Sequence, residues 1–298
     1  MDFKNIHVII NPASGNNEPI LNTLNDIFRE QGVQWDVSIT HADGDGAKQA
    51  QKAVQAGCDL VMAYGGDGTV LDVATGLIDT GVPLGILAGG TANAMADELG
   101  VPNNLAKAVA LPFHEDVRLH SVDIGQADDK YFLLRVGTGM VATFSAGVSR
   151  ELKDNFGVGA YFIGGIQAIA NPEFVTYHLS IDGTEVTTQG TACLITNGNS
   201  LGAFSLKLSP KVKIDDGLLD VFIINNDVQS IIGALSNLVQ IENAAIDLEH
   251  WQGKEIRILT DPPQEIYGDG ETIAFTNTPC DIRLKSKALN ILTTQVKK

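Results

Sequence analysis

The sequence predicts an α/β N-terminal domain built on a parallel sheet, followed by a C-terminal, mostly antiparallel β domain. Three observations carry this reading. Over the first ~120 residues, short apolar runs alternate with segments whose apolar residues recur at helical spacing, the pattern of βαβ units. Beyond about Val122 the runs take period-two character, as in FVTYHLSI at 174–181, which ends in an Asp182-Gly183 turn. Small-residue loops stand where the predicted parallel strands end, each just ahead of a helix. The boundary falls near residue 122, giving domains 1–122 and 123–298, with the last strand free to return to the first domain.

Each element follows from its residues. Residues 6–10 form a buried strand that ends in Asn11-Pro12-Ala13-Ser14-Gly15. The next helix sets Ile20, Leu21, Leu24, Ile27 and Phe28 on one face, and Gly32 closes it. A strand at 35–39 reaches Thr40, and after Asp43-Gly44-Asp45-Gly46 a helix runs up to Gly57. The third repeat is the centre of the chain. Leu60, Val61, Met62 and Ala63 are apolar throughout, as a strand covered on both faces requires. Gly65, Gly66 and Gly68 permit positive φ and close approach of a ligand, and Val70, Leu71, Ala74, Leu77 and Ile78 repeat at helical spacing. A fourth strand, 83–87, opens into Ala88-Gly89-Gly90-Thr91-Ala92-Asn93 before a helix containing Met95 and Leu99.

In an open parallel sheet the carboxyl ends of the strands share one edge, and ligands bind along it. The loops beginning at Asn11, Thr40, Gly65 and Gly89 therefore point to a common nucleotide site. Ordinary βα turn chemistry is the competing reading of each loop taken singly. The free N–H groups and positive dipole end of the helix after Gly66 suit a phosphate. Asp67 sits in that loop, and no lysine lies between Lys52 and Lys107. A carboxylate beside a polyphosphate is repelled unless a cation stands between them, which a bound Mg²⁺ supplies. The loop is neither a Walker A sequence, which needs a lysine, nor a dinucleotide fingerprint, because Leu71 stands where a third glycine belongs.

Composition bounds the rest. With 298 residues, 44% of them hydrophobic, the chain buries a large core. Its net charge of −16 argues against a nucleic-acid partner, since such affinity rests on Lys and Arg neutralising phosphates. The charge is uneven: residues 1–124 hold 6 basic against 16 acidic residues, a net −10. From residue 282 on the chain carries Arg283, Lys285, Lys287, Lys297 and Lys298 with no acid, a stretch suited either to solvent or to transient contact with an anionic membrane surface. No apolar run approaches the ~20 residues of a membrane span and residues 1–5 do not read as a signal peptide, so a cytoplasmic location is expected. Cys58, Cys193 and Cys280 lie far apart and read as small core or near-core residues. Two further segments stand out in the second half, an apolar stretch at 157–170 and an amphipathic helix pattern at 228–243.

Two acidic turns in the second half also carry possible chemistry. Asp215 and Asp216 precede Gly217 and an apolar strand, which alone reads as a polar turn. Tyr267-Gly268-Asp269-Gly270-Glu271 lies between a predicted strand at 264–266 and the alternating Ile273-Ala274-Phe275. It reads either as a hairpin turn with two solvated acids or as a bent loop presenting a carboxylate that accepts a proton.

Asn11-Pro12, Gly65-Gly66-Asp67-Gly68-Thr69, Gly89-Gly90-Thr91-Ala92-Asn93, Asp216-Gly217-Leu218-Leu219-Asp220 and Gly268-Asp269-Gly270-Glu271 together resemble the soluble bacterial lipid kinases of the diacylglycerol kinase catalytic domain type, related to sphingosine kinases. The ordered set spans most of the chain. Many members carry Gly-Thr-x-Asn-Asp-Phe-Ala, whereas this chain has Asn93-Ala94-Met95-Ala96, so no acidic role is carried over there. The resemblance implies a nucleotide-binding domain, a C-terminal β-sandwich, and phosphoryl transfer from ATP to a diacylglycerol-like lipid hydroxyl in the cleft between them. It places ATP at Thr40, at Gly66, Asp67, Gly68, Thr69, Val70, Leu71 and Asp72, and at Thr91, with Asn11 and Gly65 completing the set. It maps a Mg²⁺ to Asp216 and to the main-chain oxygens of Lys213 and Leu218. Glu271 matches the family's proton acceptor, with Asp67 as its catalytic companion. Two rivals stay open. NAD kinases share the central loop, although the Asn-Glu dipeptide expected after it is missing here, the only Asn17-Glu18 lying before it. A catalytically silent nucleotide- or lipid-binding regulator is the other.

Overall fold

The computed structural model describes residues 1–14, 18–139, 174–200, 209, 211–225, 248–269 and 276–294. Glu271, the 157–170 stretch, the 228–243 helix pattern and Lys297 and Lys298 lie outside the described residues. The chain divides into two compact units: Met1–Ile124 with Asn199–Asp215 and Ser286–Lys298, and Gly125–Gly198 with Asp216–Lys285.

The first unit carries the predicted βαβ repeats. They are β1 (Asn5–Ile10), α1 (Ile20–Gln31), β2 (Gln34–Ile39), α2 (Asp45–Gln55), β3 (Leu60–Gly65), α3 (Asp67–Leu77), β4 (Leu84–Ala88), α4 (Ala94–Leu99) and α5 (Leu105–Ala110). β5 (Val117–Ala127) begins in this unit, and the end of β16 (Cys280–Thr294) belongs to it. The sheet order is β2-β1-β3-β4-β16 and every pair is parallel. Every residue of β3 is buried, which is why its sequence is an unbroken apolar run. β2 lies at the edge and leaves Val37 and Ile39 exposed.

Helix α1 buries Leu24 and Phe28, the latter in edge contact with Trp35 and Phe113. Leu21, expected on that buried face, is 53% exposed. Helical spacing fixes direction around the axis but not how far along the helix its partners reach. Gly32 closes the helix as expected, with the Val33 N–H donating to the Phe28 carbonyl. Helices α2 and α3 pack in close contact at Gly76, where a Cβ would stand 2.4 Å from the Ala47 carbonyl oxygen and 2.9 Å from the Ala50 Cβ.

The second unit is antiparallel. One of its sheets runs β16-β13-β8-β9, from β8 (Val175–Ile181), β9 (Thr184–Gly190) and β13 (Glu255–Asp261) beside the first part of β16. The other runs β12-β11-β10-β7-β14-β15, from β7 (Arg135–Gly139), β10 (Ala192–Thr196), β11 (Leu219–Ile224), β12 (Leu248–Gly253), β14 (Glu265–Gly268) and β15 (Thr276–Asn277). Short β6 (Lys130–Phe132) pairs with the end of β5. Tyr177, Leu179, Ile256, Ile258 and Ile282 from the first sheet meet Val136, Ile195, Val221 and Ile266 from the second in one core, which makes this unit a sandwich. The predicted hairpin is present: Asp182 and Gly183 take φ of 47° and 81° between β8 and β9, the left-handed pair a two-residue turn demands. Cys193 and Cys280 are buried and Cys58 half-buried, as read from the sequence. Among the described residues no helix is long and apolar enough to cross a membrane.

Gly76→Ala separates two effects of opposite sign. Helix propensity alone favours alanine by about 1 kcal/mol, whereas a Cβ driven into the α2 backbone costs roughly 1–3 kcal/mol. Backbone atoms yield less than side chains, so urea unfolding should show net destabilisation; a gain in stability would contradict the packing.

Candidate functional site

Backbone bonds carry the first sheet one residue past its strand ends. The Asn11 N–H donates to the Tyr64 carbonyl, the Thr40 N–H to the Ile10 carbonyl and the Gly89 N–H to the Gly65 carbonyl, at 3.0, 3.0 and 2.9 Å. The loops after β1, β2, β3 and β4 therefore start side by side on one edge, where the sequence placed Asn11, Thr40, Gly65 and Thr91. Thr40 and Asn11 are half-buried there, and Thr91 is exposed.

Glycine is required here for space rather than for unusual dihedrals. None of Gly65, Gly66 and Gly68 takes positive φ; Gly66 is extended at φ −82°. This corrects the sequence expectation, and crowding is the reason. A Cβ at Gly65 would lie 2.5 Å from the Thr69 Cβ and Oγ1, and one at Gly90 would lie 2.6 Å from the Gly66 Cα. The turn from β3 to α3 is a single residue, so Gly68, Thr69, Val70, Leu71 and Asp72 belong to the helix and not to a loop.

Side chains then tie the edge together. Asn11 Nδ2 donates to Thr69 Oγ1 at 2.9 Å, and Asn11 Oδ1 accepts the Ala13 N–H at 3.0 Å, so one residue links the first loop to the first turn of α3. Asn93 closes its own loop through two 2.8 Å bonds with the Gly90 main chain. Asp67 Oδ1 accepts the Met95 N–H at 3.2 Å, giving the start of α4 an acceptor that Asn93 does not supply. No side chain caps α3 itself at Gly66. Its first N–H groups thus open onto the strand-end edge, in a stretch holding no Lys or Arg from 53 to 106.

Asp72 has a different partner from the one expected. Its carboxylate accepts the Gly46 and Ala47 N–H groups at 2.7 and 3.3 Å and so caps α2. Burial pushes its carboxyl above the ordinary value, against those two N–H groups, which pull it down.

In the second unit, cross-strand register collects the polar ends of four strands. Thr196 pairs with Asp220 on one side and Arg135 on the other, and the Asp269 N–H donates to the Arg135 carbonyl. Asp269, whose loop the sequence left open between a hairpin turn with two solvated acids and a bent loop presenting a carboxylate, accepts the N–H groups of Leu133, Leu134 and Arg135 at 2.5, 2.9 and 2.9 Å. Burial raises its carboxyl pKa against those three donors. Asp220, fully buried, accepts from His250 Nε2 and Gln252 Nε2. Neither role was legible beforehand, because both depend on which distant amides the sheet presents.

Of the residues the resemblance maps to Mg²⁺, Lys213 belongs to the first unit and Asp216 and Leu218 to the second. Asp216 is exposed and its Oδ1 accepts the Leu218 N–H at 3.1 Å, across Gly217 at φ 78°. A carboxylate oxygen keeps a second lone pair in such a bond, and oxygen is the ligand type Mg²⁺ takes. Among the described residues no three His, Cys, Asp or Glu side chains gather as a metal cluster, so main-chain oxygens and water would have to complete any such site.

Residues 5–127 match the diacylglycerol kinase catalytic domain, and residues 135–293 match the YegS C-terminal NAD kinase beta sandwich-like domain. The chain belongs to the family of YegS-like lipid kinases with a diacylglycerol kinase catalytic domain. It is 31% identical to "Uncharacterized protein sll0036" of Synechocystis sp., over 96% of this chain and 69% of that one. It is 30% identical to "Probable lipid kinase YegS-like" of Pseudomonas putida, over 89% and 90%. A crystal structure titled as a diacylglycerol kinase from Bacillus anthracis str. Sterne superposes with a TM-score of 0.79 at 26% identity, covering 98% of this chain and 97% of that one. This lipid kinase is a phosphotransferase, and its family implies ATP as donor together with a divalent cation.

The Gly66–Gly90 contact gives a direct check on this edge. Gly90→Ala must push one loop backbone away from the other, so ATP affinity should fall by roughly 10-fold or more for a misplacement of about 1 Å. Isothermal titration with a non-hydrolysable ATP analogue reads this; unchanged affinity would mean the two loops do not share a ligand.

Proposed function

We propose that this lipid kinase transfers the γ-phosphoryl group of Mg²⁺-bound ATP to the hydroxyl of a diacylglycerol-like lipid alcohol. One observation carries the reading: the uncapped N-terminus of α3 and the Gly89–Asn93 loop are pressed together at the strand-end edge by residues with no room for side chains, and no cation stands among them. Amides that point outward with no side chain in front suit phosphate oxygens. A divalent cation held by the Asp67 carboxylate would neutralise phosphate charge.

The protein's own groups divide the remaining work. Asn11, Thr40, Gly65 through Val70, and Thr91 hold and orient the phosphates, while Leu71 and Asp72 support them through α3 and its bond to α2. Asp67 links α3 to α4 through the Met95 N–H and would hold the cation with its carboxylate. Glu271, two residues beyond the anchored Asp269, takes the proton from the lipid hydroxyl as its oxygen bonds to the γ-phosphorus and the bond to ADP breaks. The second cation position is the turn with Asp216 and the main-chain oxygens of Lys213 and Leu218. The enzyme works in the cytoplasm and meets its substrate at the membrane surface.

The assay is transfer of label from γ-labelled ATP to a panel of lipid alcohols, with NAD as a control acceptor. Diacylglycerol-like alcohols should be labelled with Mg²⁺ present; labelling of NAD alone would assign a nucleotide kinase, and tight ATP binding without any transfer would assign a silent regulator. Within the same assay, Asp67→Asn keeps an oxygen for the Met95 N–H, so it should fold normally yet lose nearly all turnover. Glu271→Gln should lower kcat by ~10²-fold with ATP affinity little changed. Wild-type turnover in Glu271→Gln would pass the proton-accepting role to Asp67.

A further inference from the structure

The strand order β2-β1-β3-β4 reverses direction between β1 and β3, and in an open parallel sheet that switch point is where a ligand enters. Tyr64 stands there. It pairs with Ile10 on β1 and Leu87 on β4, and its carbonyl accepts the Asn11 N–H. Its side chain is fully buried, yet its hydroxyl has no hydrogen-bond partner among the described residues. The ring leans forward along the strands. A Cβ at Gly89 would lie 3.1 Å from both Tyr64 Cε1 and Tyr64 Cζ. Gly89 is two residues past Leu87, about 7 Å further toward the carboxyl ends of the strands. Because Cζ bears the hydroxyl, the oxygen is carried under the Gly89–Asn93 loop, whose Gly90 presses on Gly66 at the start of α3. All of these residues belong to the first unit.

We propose that the Tyr64 hydroxyl is a phosphate-binding group, donating its hydrogen to an oxygen of the nucleotide's phosphate chain where that chain lies across the Gly66 and Gly90 backbones. The inference rests on the phosphate edge proposed above and adds to it a neutral side-chain donor, in a stretch that holds no Lys or Arg from 53 to 106. Phenylalanine would fill the same space with no oxygen to satisfy, and a buried hydroxyl without a partner is destabilising, so packing alone does not call for the hydroxyl. Burial, and after it the negative charge of Glu18, push the phenol above its ordinary pKa, so it keeps its hydrogen at neutral pH and acts as a donor. A donor facing an ionised phosphate oxygen makes one of the stronger kinds of hydrogen bond. Gly89 fits the same account, since a side chain there would crowd the ring that carries the donor.

Tyr64→Phe removes that one oxygen and leaves the ring in place. Without nucleotide the variant should melt at or above the wild-type temperature, because the hydroxyl it loses bonds to no protein group. Isothermal titration with Mg²⁺ and a non-hydrolysable ATP analogue should show affinity lower by roughly 10-fold or more, the loss expected for one hydrogen bond to a charged acceptor. Inorganic tripolyphosphate, which carries the phosphate oxygens without the nucleoside, should lose affinity by a similar factor when titrated in competition with the analogue. Wild-type affinity in Tyr64→Phe overturns the idea, and a fall in its nucleotide-free melting temperature alongside would mark the hydroxyl as a core group served by internal water. A loss confined to the ATP analogue, with tripolyphosphate bound as in wild type, equally overturns it by placing the hydroxyl against the nucleoside. Failure of the wild type to bind either ligand would remove the phosphate edge and this inference together, whereas normal wild-type binding with an unaffected Tyr64→Phe removes only the inference.

Discussion

Backbone N–H groups seeking acceptors organise this molecule more than its charged pairs do. A chain with net charge −16 cannot satisfy its carboxylates with lysine and arginine, and two of its ion pairs, Lys4 with Asp2 and Arg257 with Asp281, are exposed. Such pairs contribute at most about 1 kcal/mol. Carboxylates instead meet amides. Asp59 accepts from Lys4 and Asn5, Asp45 from His41 and Ala42, Asp72 from Gly46 and Ala47, Asp182 from Lys254 and Glu255, and Asp269 from Leu133, Leu134 and Arg135. Those of Asp59, Asp72, Asp182 and Asp269 join segments far apart in sequence, and a partly buried bond to a charged group, as at Asp269, contributes about 1.5–3 kcal/mol, more than a surface pair.

At the strand-end edge of the first unit the amides are answered unevenly. Asp67 satisfies the start of α4, yet α3 begins at Gly66 with no side chain to cap it. Two glycines in contact, Gly66 and Gly90, keep side chains out of the space in front. Uncapped helix N–H groups bind an anion, which is the basis of the phosphate site proposed above. The acid that stands nearest, Asp67, then makes a divalent cation the natural companion of that anion.

Much of this was legible in the sequence, for reasons that can be named. The apolar run at 60–63 required a strand covered on both faces, and β3 is buried at every residue. Asp182-Gly183 required a two-residue hairpin, and the alternation of 175–181 set which side of β8 faces the core. What stayed hidden were consequences of contact between distant segments. Gly65 was read as a source of positive φ, whereas its need arises from the Thr69 side chain, and Gly90 is needed because the packed loops bring it against the Gly66 backbone. The amides held by Asp72 and Asp269 were hidden because a carboxylate's sequence neighbours do not reveal which amides the fold will place against it. Leu21 was assigned to the buried face because periodicity carries no information on where a packing partner ends.

Amide hydrogen exchange in the presence and absence of Mg²⁺ and a non-hydrolysable ATP analogue tests the central claim most directly. If the uncapped N-terminus of α3 and the neighbouring loop hold the phosphates, the amides of 66–70 and 89–95 should slow on ligand binding well beyond the rest of the first sheet. Protection that leaves those two segments unchanged, or that appears only elsewhere in the chain, would contradict it.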